Sequence, residues 1–262
     1  MRSFILSIFI FLSAQHLISQ TNATLRRVDN DEAVTIKDIL SEDGDPKPTF
    51  LITWSGEWCF PCMNVLNSMG EAAKSGIIKV ISVNVDDENW ESVKDEGYHN
   101  RRWQNTTNLY LDSNLNNSFD SYFATSSAPL TIFFNEGGQI NYMNSSFNLR
   151  AWWFTNVFGN ELIWDSSREL NSFSWNYYEN HISEELVNLD DDDMVEALMM
   201  IERSIALDKN NENTDTYAAL LYLSGQYNKA LKMAKESIDL AKEEGDDYEV
   251  TNELIQKIIE KM

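Results

Sequence analysis

The chain of 262 residues has two cysteines, and both lie in Gly56-Glu57-Trp58-Cys59-Phe60-Pro61-Cys62. A pair at i and i+3 closes into a disulfide readily when the first cysteine caps a helix and the second lies one turn inside it. No third cysteine competes for either partner. Any sulfur chemistry therefore takes place in this segment.

The flanking sequence supplies that structure. Phe50-Leu51-Ile52-Thr53-Trp54 is a continuous apolar and β-branched run, the pattern of a buried strand. From about Cys59 the positions Cys62, Val65, Leu66 and Met69 share one helical face, and Gly70 is the expected stop. Further strands are expected over 77–85 and 109–111, and helices over 90–103 and 117–122. A hairpin is expected over 130–134 and 139–142, turning at Glu136-Gly137-Gly138. Residues 33–40 read as a strand followed by a brief helix. Alternating elements with a terminal hairpin predict an α/β domain, a mixed sheet flanked by helices. Residues 149–164 carry Trp152, Trp153, Phe154, Val157, Phe158, Leu162, Ile163 and Trp164, and are expected to form that domain's last helix, buried on more than one side.

From Ser166 no strand pattern remains. Glu202-Arg203-Ser204-Ile205-Ala206-Leu207 resembles Lys235-Glu236-Ser237-Ile238-Asp239-Leu240, and Ala197 matches Ala230 at the same offset. A period in the low thirties indicates paired-helix repeats. The expected organisation is a signal peptide over 1–20, an α/β domain over 21–165 and an all-α helical-repeat domain over 166–262. The leader reading rests on Arg2 followed by the apolar stretch Phe4 to Leu12, which is shorter than the roughly 20 residues a bilayer span requires. It implies a periplasmic or secreted protein, in a compartment where disulfides persist.

The formal net charge of −22 disfavours nucleic acid and anionic membrane surfaces as partners. No metal is expected. A structural zinc site takes four ligands, and the two cysteines are joined beyond the leader only by His99 and His181. Asp190 to Asp193 lacks the spacing and glycine of a calcium loop and reads as a helix cap in a solvated acidic turn.

A thiolate rather than a thiol attacks a disulfide, and a free cysteine has a pKa of about 8.5. Unpaired N–H groups and the dipole at a helix start favour negative charge, so Cys59 is expected to be the more acidic sulfur. The expected division of labour is an exposed attacking Cys59 and a shielded resolving Cys62. Pro61 suits the first helical turn, which can spare its N–H.

This segment resembles the active site of the thioredoxin superfamily, Trp-Cys-x-x-Cys in its x-Pro variant. Ala128-Pro129-Leu130, just before an expected strand, resembles the family's cis-proline segment, which implies that Pro129 is cis and that Ala128 receives a substrate chain. The extra helix and strand over 90–111 and the lead-in over 34–40 resemble TlpA-like extracytoplasmic thiol-disulfide oxidoreductases. The likeness spans roughly residues 30–160. It implies a thioredoxin-like fold with a helix-strand insertion, catalytic Cys59 and Cys62, and substrate contact or support from Trp58, Phe60, Pro61, Ala128 and Pro129. It implies no cofactor. Its partners would be protein thiols and disulfides, together with a membrane electron donor or another thiol partner. Thr53 and Val65 stand where these families place carboxylates that assist the buried cysteine, so the proton acceptor for Cys62 is open. Glu57 matches a common family residue before Trp58 and is a candidate acceptor, its other reading being a solvated or ion-paired group. Residues 216–230, with Gly225, Tyr227 and Ala230, resemble a tetratricopeptide repeat, which implies a protein ligand on the helices. The alternative function is a partner-binding scaffold in which Cys59–Cys62 only staples the fold.

Overall fold

The computed structural model describes residues 22–42, 44, 46–86, 103, 105–112, 114, 115, 119, 128–183, 187, 188 and 191–262. The expected leader and the helices over 90–103 and 117–122 lie outside these, apart from Trp103 and Phe119. The described residues form two compact units, one ending at Arg150 and the other covering Ala151–Met262.

The first unit is built on a seven-stranded mixed sheet in the order β2-β1-β5-β4-β3-β6-β7. The strands are β1 (Thr24–Arg27), β2 (Ala33–Thr35), β3 (Thr49–Trp54), β4 (Lys79–Asn84), β5 (Thr107–Tyr110), β6 (Thr131–Phe134) and β7 (Ile140–Asn144). Strands β3, β4 and β5 run parallel, while β6, β7, β1 and β2 join by antiparallel pairing. Helix α1 (Ile36–Ser41) follows β2, and α2 (Phe60–Ala73) follows β3. The sheet flanked by helices is what the sequence pattern led us to expect, and its form is the thioredoxin-like fold that the resemblance implied. Strand β1 has too short a pattern to be seen in the sequence. Only Leu25 of its four residues is buried, and its place in the sheet comes from pairing with β2 and β5.

Strand β3 is buried along its whole length, as its unbroken apolar run requires. Phe50 stacks on Phe133 of the neighbouring strand with ring centroids 4.8 Å apart. Behind the sheet Trp54 meets Trp103 edge to face at 4.7 Å, and the Trp103 indole N–H donates to Asn67 Oδ1 of α2 at 3.0 Å. Helix α2 does not stop at Gly70 but continues to Ala73. Gly70 sits on the buried face beside Trp103 and Thr106, and the left-handed φ of +71° at Gly76 makes the turn instead.

In the second unit the aromatic segment does not form one helix. It is a 3₁₀ turn over Ala151–Phe154, a single helical turn α3 (Thr155–Phe158) and another 3₁₀ turn over Asn160–Leu162. Gly159, at φ +87° and ψ 167°, breaks the helix between them. Trp153 and Val157 are exposed, so the segment is not buried all round. Its start packs within the helical unit, because Trp152 N–H donates to Glu169 Oε2 at 3.4 Å and the Trp152 and Phe173 rings lie 6.3 Å apart. The segment accordingly belongs to the compact unit that starts at Ala151.

Five longer helices follow: α4 (Ser167–His181), α5 (Asp192–Leu207), α6 (Asn211–Leu223), α7 (Tyr227–Glu244) and α8 (Glu249–Lys261). Ser166, Asp191 and Asn210 cap the starts of α4, α5 and α6 with side-chain oxygens. The acidic turn before α5 therefore serves as a cap. The residues matched at the 33-residue offset do equivalent work. Ser204 Oγ donates to the Ser167 carbonyl at 2.8 Å, and Ser237 Oγ donates to the Asn211 carbonyl at 2.9 Å. Each bond ties the later helix of a pair to the first residue of the earlier one. Ala197 and Ala230 are fully buried, where small side chains let helices approach closely.

Candidate active site

The Cys pair lies at the carboxyl end of β3, the end of a parallel strand where open α/β sheets build their sites. Ser55 to Trp58 lead from the strand to Cys59, which caps α2, and Phe60 and Pro61 start the helix. Cys59 and Cys62 form a disulfide with Cα atoms 5.4 Å apart. The N-cap side chain makes no capping hydrogen bond, and the first turn holds no acidic residue. The helix start thus offers its positive end to sulfur without competition from a carboxylate on that turn.

Cys62 is fully buried, as expected, but Cys59 is only 2% exposed rather than open to solvent. The reason is the neighbouring loop. Strand β6 runs antiparallel to β3, so the start of β6 lies beside the end of β3, with Ile52 opposite Thr131. The Ala128–Pro129 peptide bond is cis, and the Ala128 carbonyl oxygen sits 3.5 Å from Cys59 Sγ. The disulfide is enclosed, while Trp58 and Phe60 on either side of Cys59 are 51% and 67% exposed.

Thr53, buried at a position where the resembled family places a carboxylate, has a different task. Its N–H donates to the Leu130 carbonyl at 2.9 Å, and its Oγ1 accepts from Leu130 N–H at 2.8 Å. It pins the residue that follows Pro129. Val65 is likewise buried, and since neither a threonine nor a valine side chain carries a basic group, neither position can take a proton from Cys62. Glu57 is exposed, and its backbone N–H donates to Ser55 Oγ at 3.1 Å.

A buried pair that the sequence reading overlooked holds the approach to Cys59. Ser55 Oγ donates to Asp86 Oδ1 at 2.5 Å and accepts from the N–H groups of Glu57 and Trp58, both at 3.1 Å. Asp86 Oδ2 accepts from Gly56 N–H at 2.5 Å and from Asn84 Nδ2 at 3.0 Å. Parallel pairing sets Trp54 opposite Asn84, which brings the ends of β3 and β4 together. The signal available in the sequence was a carboxylate directly after the buried run 77–85, at the end of the sheet where the Cys pair emerges. Among the described residues no group of three or more His, Cys, Asp and Glu could hold a metal ion.

The arrangement provides a sulfur at a helix N-terminus, a second sulfur shielded one turn along, and a backbone carbonyl edge facing the first. It can support thiol–disulfide exchange. No protein-family model matches the sequence, and comparison with curated proteins yields no match. Similar solved structures include DsbF of Mycobacterium tuberculosis in mixed oxidised and reduced forms, at 16% identity and TM-score 0.41, covering 55% of this chain and 95% of that one. Another is a secreted Mycobacterium tuberculosis disulfide oxidoreductase homologous to Escherichia coli DsbE, at 12% identity and TM-score 0.40, covering 55% and 96%. StoA from Bacillus subtilis is similar at 18% identity and TM-score 0.36, covering 48% and 90%.

Proposed function

We propose that this chain is a thiol–disulfide oxidoreductase that reduces protein disulfides outside the cytoplasm. The observation that carries the reading is the Cys59–Cys62 pair at the start of α2, with the Ala128 carbonyl 3.5 Å from the outer sulfur. In the reduced protein the Cys59 thiolate attacks one sulfur of a substrate disulfide. A Cys59–substrate bond forms, the substrate S–S bond breaks, and the departing thiolate takes up a proton. Cys62 then loses its proton, with Glu57 the candidate acceptor, and attacks Cys59 Sγ. The mixed disulfide breaks, and the second substrate thiolate leaves and is protonated. The substrate has gained two electrons and two protons, and the protein is left as the Cys59–Cys62 disulfide. A dithiol donor, at the membrane or soluble, must reduce it again.

Trp58 and Phe60 offer exposed apolar surface next to the pair, and the Ala128 backbone, beside Cys59, would receive an extended substrate segment. Pro61 and the TlpA-like frame support the reducing direction. Arg2 with Phe4 to Leu12 supports export. The helices over 166–262, with their tetratricopeptide-like pattern, would hold a protein partner.

The enclosure of Cys59 favours a second reading, in which the disulfide is a staple and the helices recruit a partner. The reduction potential separates the two. A structural disulfide lies below about −300 mV and a working couple above it. On the redox reading, Cys59→Ser abolishes disulfide reductase turnover and Cys62→Ser accumulates a mixed disulfide with substrate. Full turnover by the Cys59→Ser variant would remove the mechanism.

A further inference from the structure

The helical unit contains a cavity of about 370 Å³ formed by α4, α6 and α8. Its apolar wall includes Trp175 and Tyr178, one helical turn apart on α4, with ring centroids 5.2 Å apart and planes tilted by 43°. Ala219 and Leu254, both buried, complete that wall. Asp215 of α6 also lines the cavity, and one of its carboxylate oxygens is buried without a hydrogen-bond donor among the described residues. Glu179 and Glu253 add two more carboxylates, against a single cation, Lys257. Ile182 and Val250 border the same space and are 48% and 64% exposed. The wider field has the same sign, since residues 151–262 carry 24 Asp and Glu against 9 Lys and Arg.

We infer that this cavity is a binding site for a lysine side chain presented by a partner protein. A lysine has an apolar stem of four methylenes ending in a compact ammonium. The stem suits Trp175, Tyr178 and Leu254. The ammonium is attracted both by aromatic faces and by the carboxylates of Asp215, Glu179 and Glu253. Arginine fits less well. Its planar fork calls for both oxygens of one carboxylate, whereas the unpartnered acceptor here is a single buried Asp215 oxygen. Exposed Ile182 and Val250 give the remainder of a polypeptide an apolar border to rest on, which a small free amine would leave uncovered. Burial also raises the Asp215 carboxyl above its ordinary range, a cost that a bound cation would offset. The site lies wholly within the helical unit and does not depend on the redox reading of the Cys pair.

The test is an NMR titration of the full chain with Nα-acetyl-lysinamide, following the Trp175 indole and Tyr178 ring signals. Saturable shifts are expected, with Nα-acetyl-norleucinamide, diacetylated lysinamide and Nα-acetyl-argininamide each binding at least about tenfold more weakly. Asp215→Asn is expected to weaken lysinamide binding about tenfold with its helical circular dichroism unchanged, and Glu179→Gln to weaken it about twofold. The inference is overturned by the absence of saturation, by equal binding of norleucinamide or argininamide, or by an Asp215→Asn variant that binds undiminished. It is equally overturned if n-butylammonium saturates the site and the lysinamide does not, which would assign the cavity to a small free amine.

Discussion

Thr53 and Leu130 hold each other by two hydrogen bonds, one through the Thr53 backbone at 2.9 Å and one through its side chain at 2.8 Å. The second is the more informative. Leu130 immediately follows the cis Pro129, so a hydroxyl on the strand that ends at the Cys pair fixes the loop that faces the pair. Thr53→Val keeps the shape and removes the acceptor, stranding a buried N–H. We expect a loss of about 1–3 kcal/mol in denaturant unfolding. Thr53→Ser should recover most of it. A Thr53→Val protein as stable as the parent would show that the side-chain bond contributes nothing.

Ser55 Oγ accepts hydrogen bonds from two backbone N–H groups of the segment leading to Cys59 and donates one to buried Asp86. Ser55→Ala removes the acceptor for Glu57 and Trp58 and one donor to Asp86. The expected cost is about 1–3 kcal/mol. Amide exchange at Glu57 and Trp58 should quicken beyond what global destabilisation accounts for, while exchange in β7 should follow global stability alone. Uniform acceleration across both would contradict a local role.

The two glycines at the end of α2 should respond in opposite directions. A Cβ on Gly70 would stand 3.5 Å from Thr106 Cγ2, an ordinary contact, so Gly70→Ala should stabilise by up to about 1 kcal/mol through helix propensity. Gly76 has open space around it but a φ of +71°, so Gly76→Ala should destabilise by about 1 kcal/mol from backbone conformation alone. Thermal unfolding of the two variants checks both signs.

Asp215 sets a pH dependence in the helical unit. Burial raises its carboxyl above the ordinary value of 3.8, and the Thr251 hydroxyl offsets this only in part. The folded state therefore holds this proton to higher pH than the unfolded chain does. Stability from this group falls as pH rises from the unfolded value through the folded one, and the penalty is complete above that. Asp215→Asn should unfold at a higher denaturant concentration than the parent at pH 7, and the difference should shrink towards pH 4. A variant less stable at pH 7 would mean that the charged carboxylate is compensated by contacts other than Thr251.

Much of the architecture could be read from residue order, because its signals are local. The unbroken run of β3, the apolar face of α2, the hairpin turn at Glu136 to Gly138 and the 33-residue match of Ser204 with Ser237 each need only a few neighbouring residues. What was misread depends on distant partners. Gly70 has the composition of a stop signal, yet it lies inside a helix whose buried face meets Trp103 and Thr106. The aromatics of 149–164 suggest one buried helix, but Gly159 breaks it and Trp152 turns to Glu169 and Phe173.

The sequence by itself determined where sulfur chemistry could occur. Only Cys59 and Cys62 exist, and a spacing of three places both on the first turn of the helix that follows β3. The tertiary structure decided what surrounds them. Antiparallel pairing of β3 with β6 brings Ala128 against Cys59 from 69 residues away, encloses the sulfur, and gives Thr53 its partner Leu130. Parallel pairing of β3 with β4 delivers Asp86 to Ser55. Residue order specifies local geometry through torsional preference and periodicity, whereas burial and hydrogen-bond partners at a sheet's end are set by which strands lie side by side.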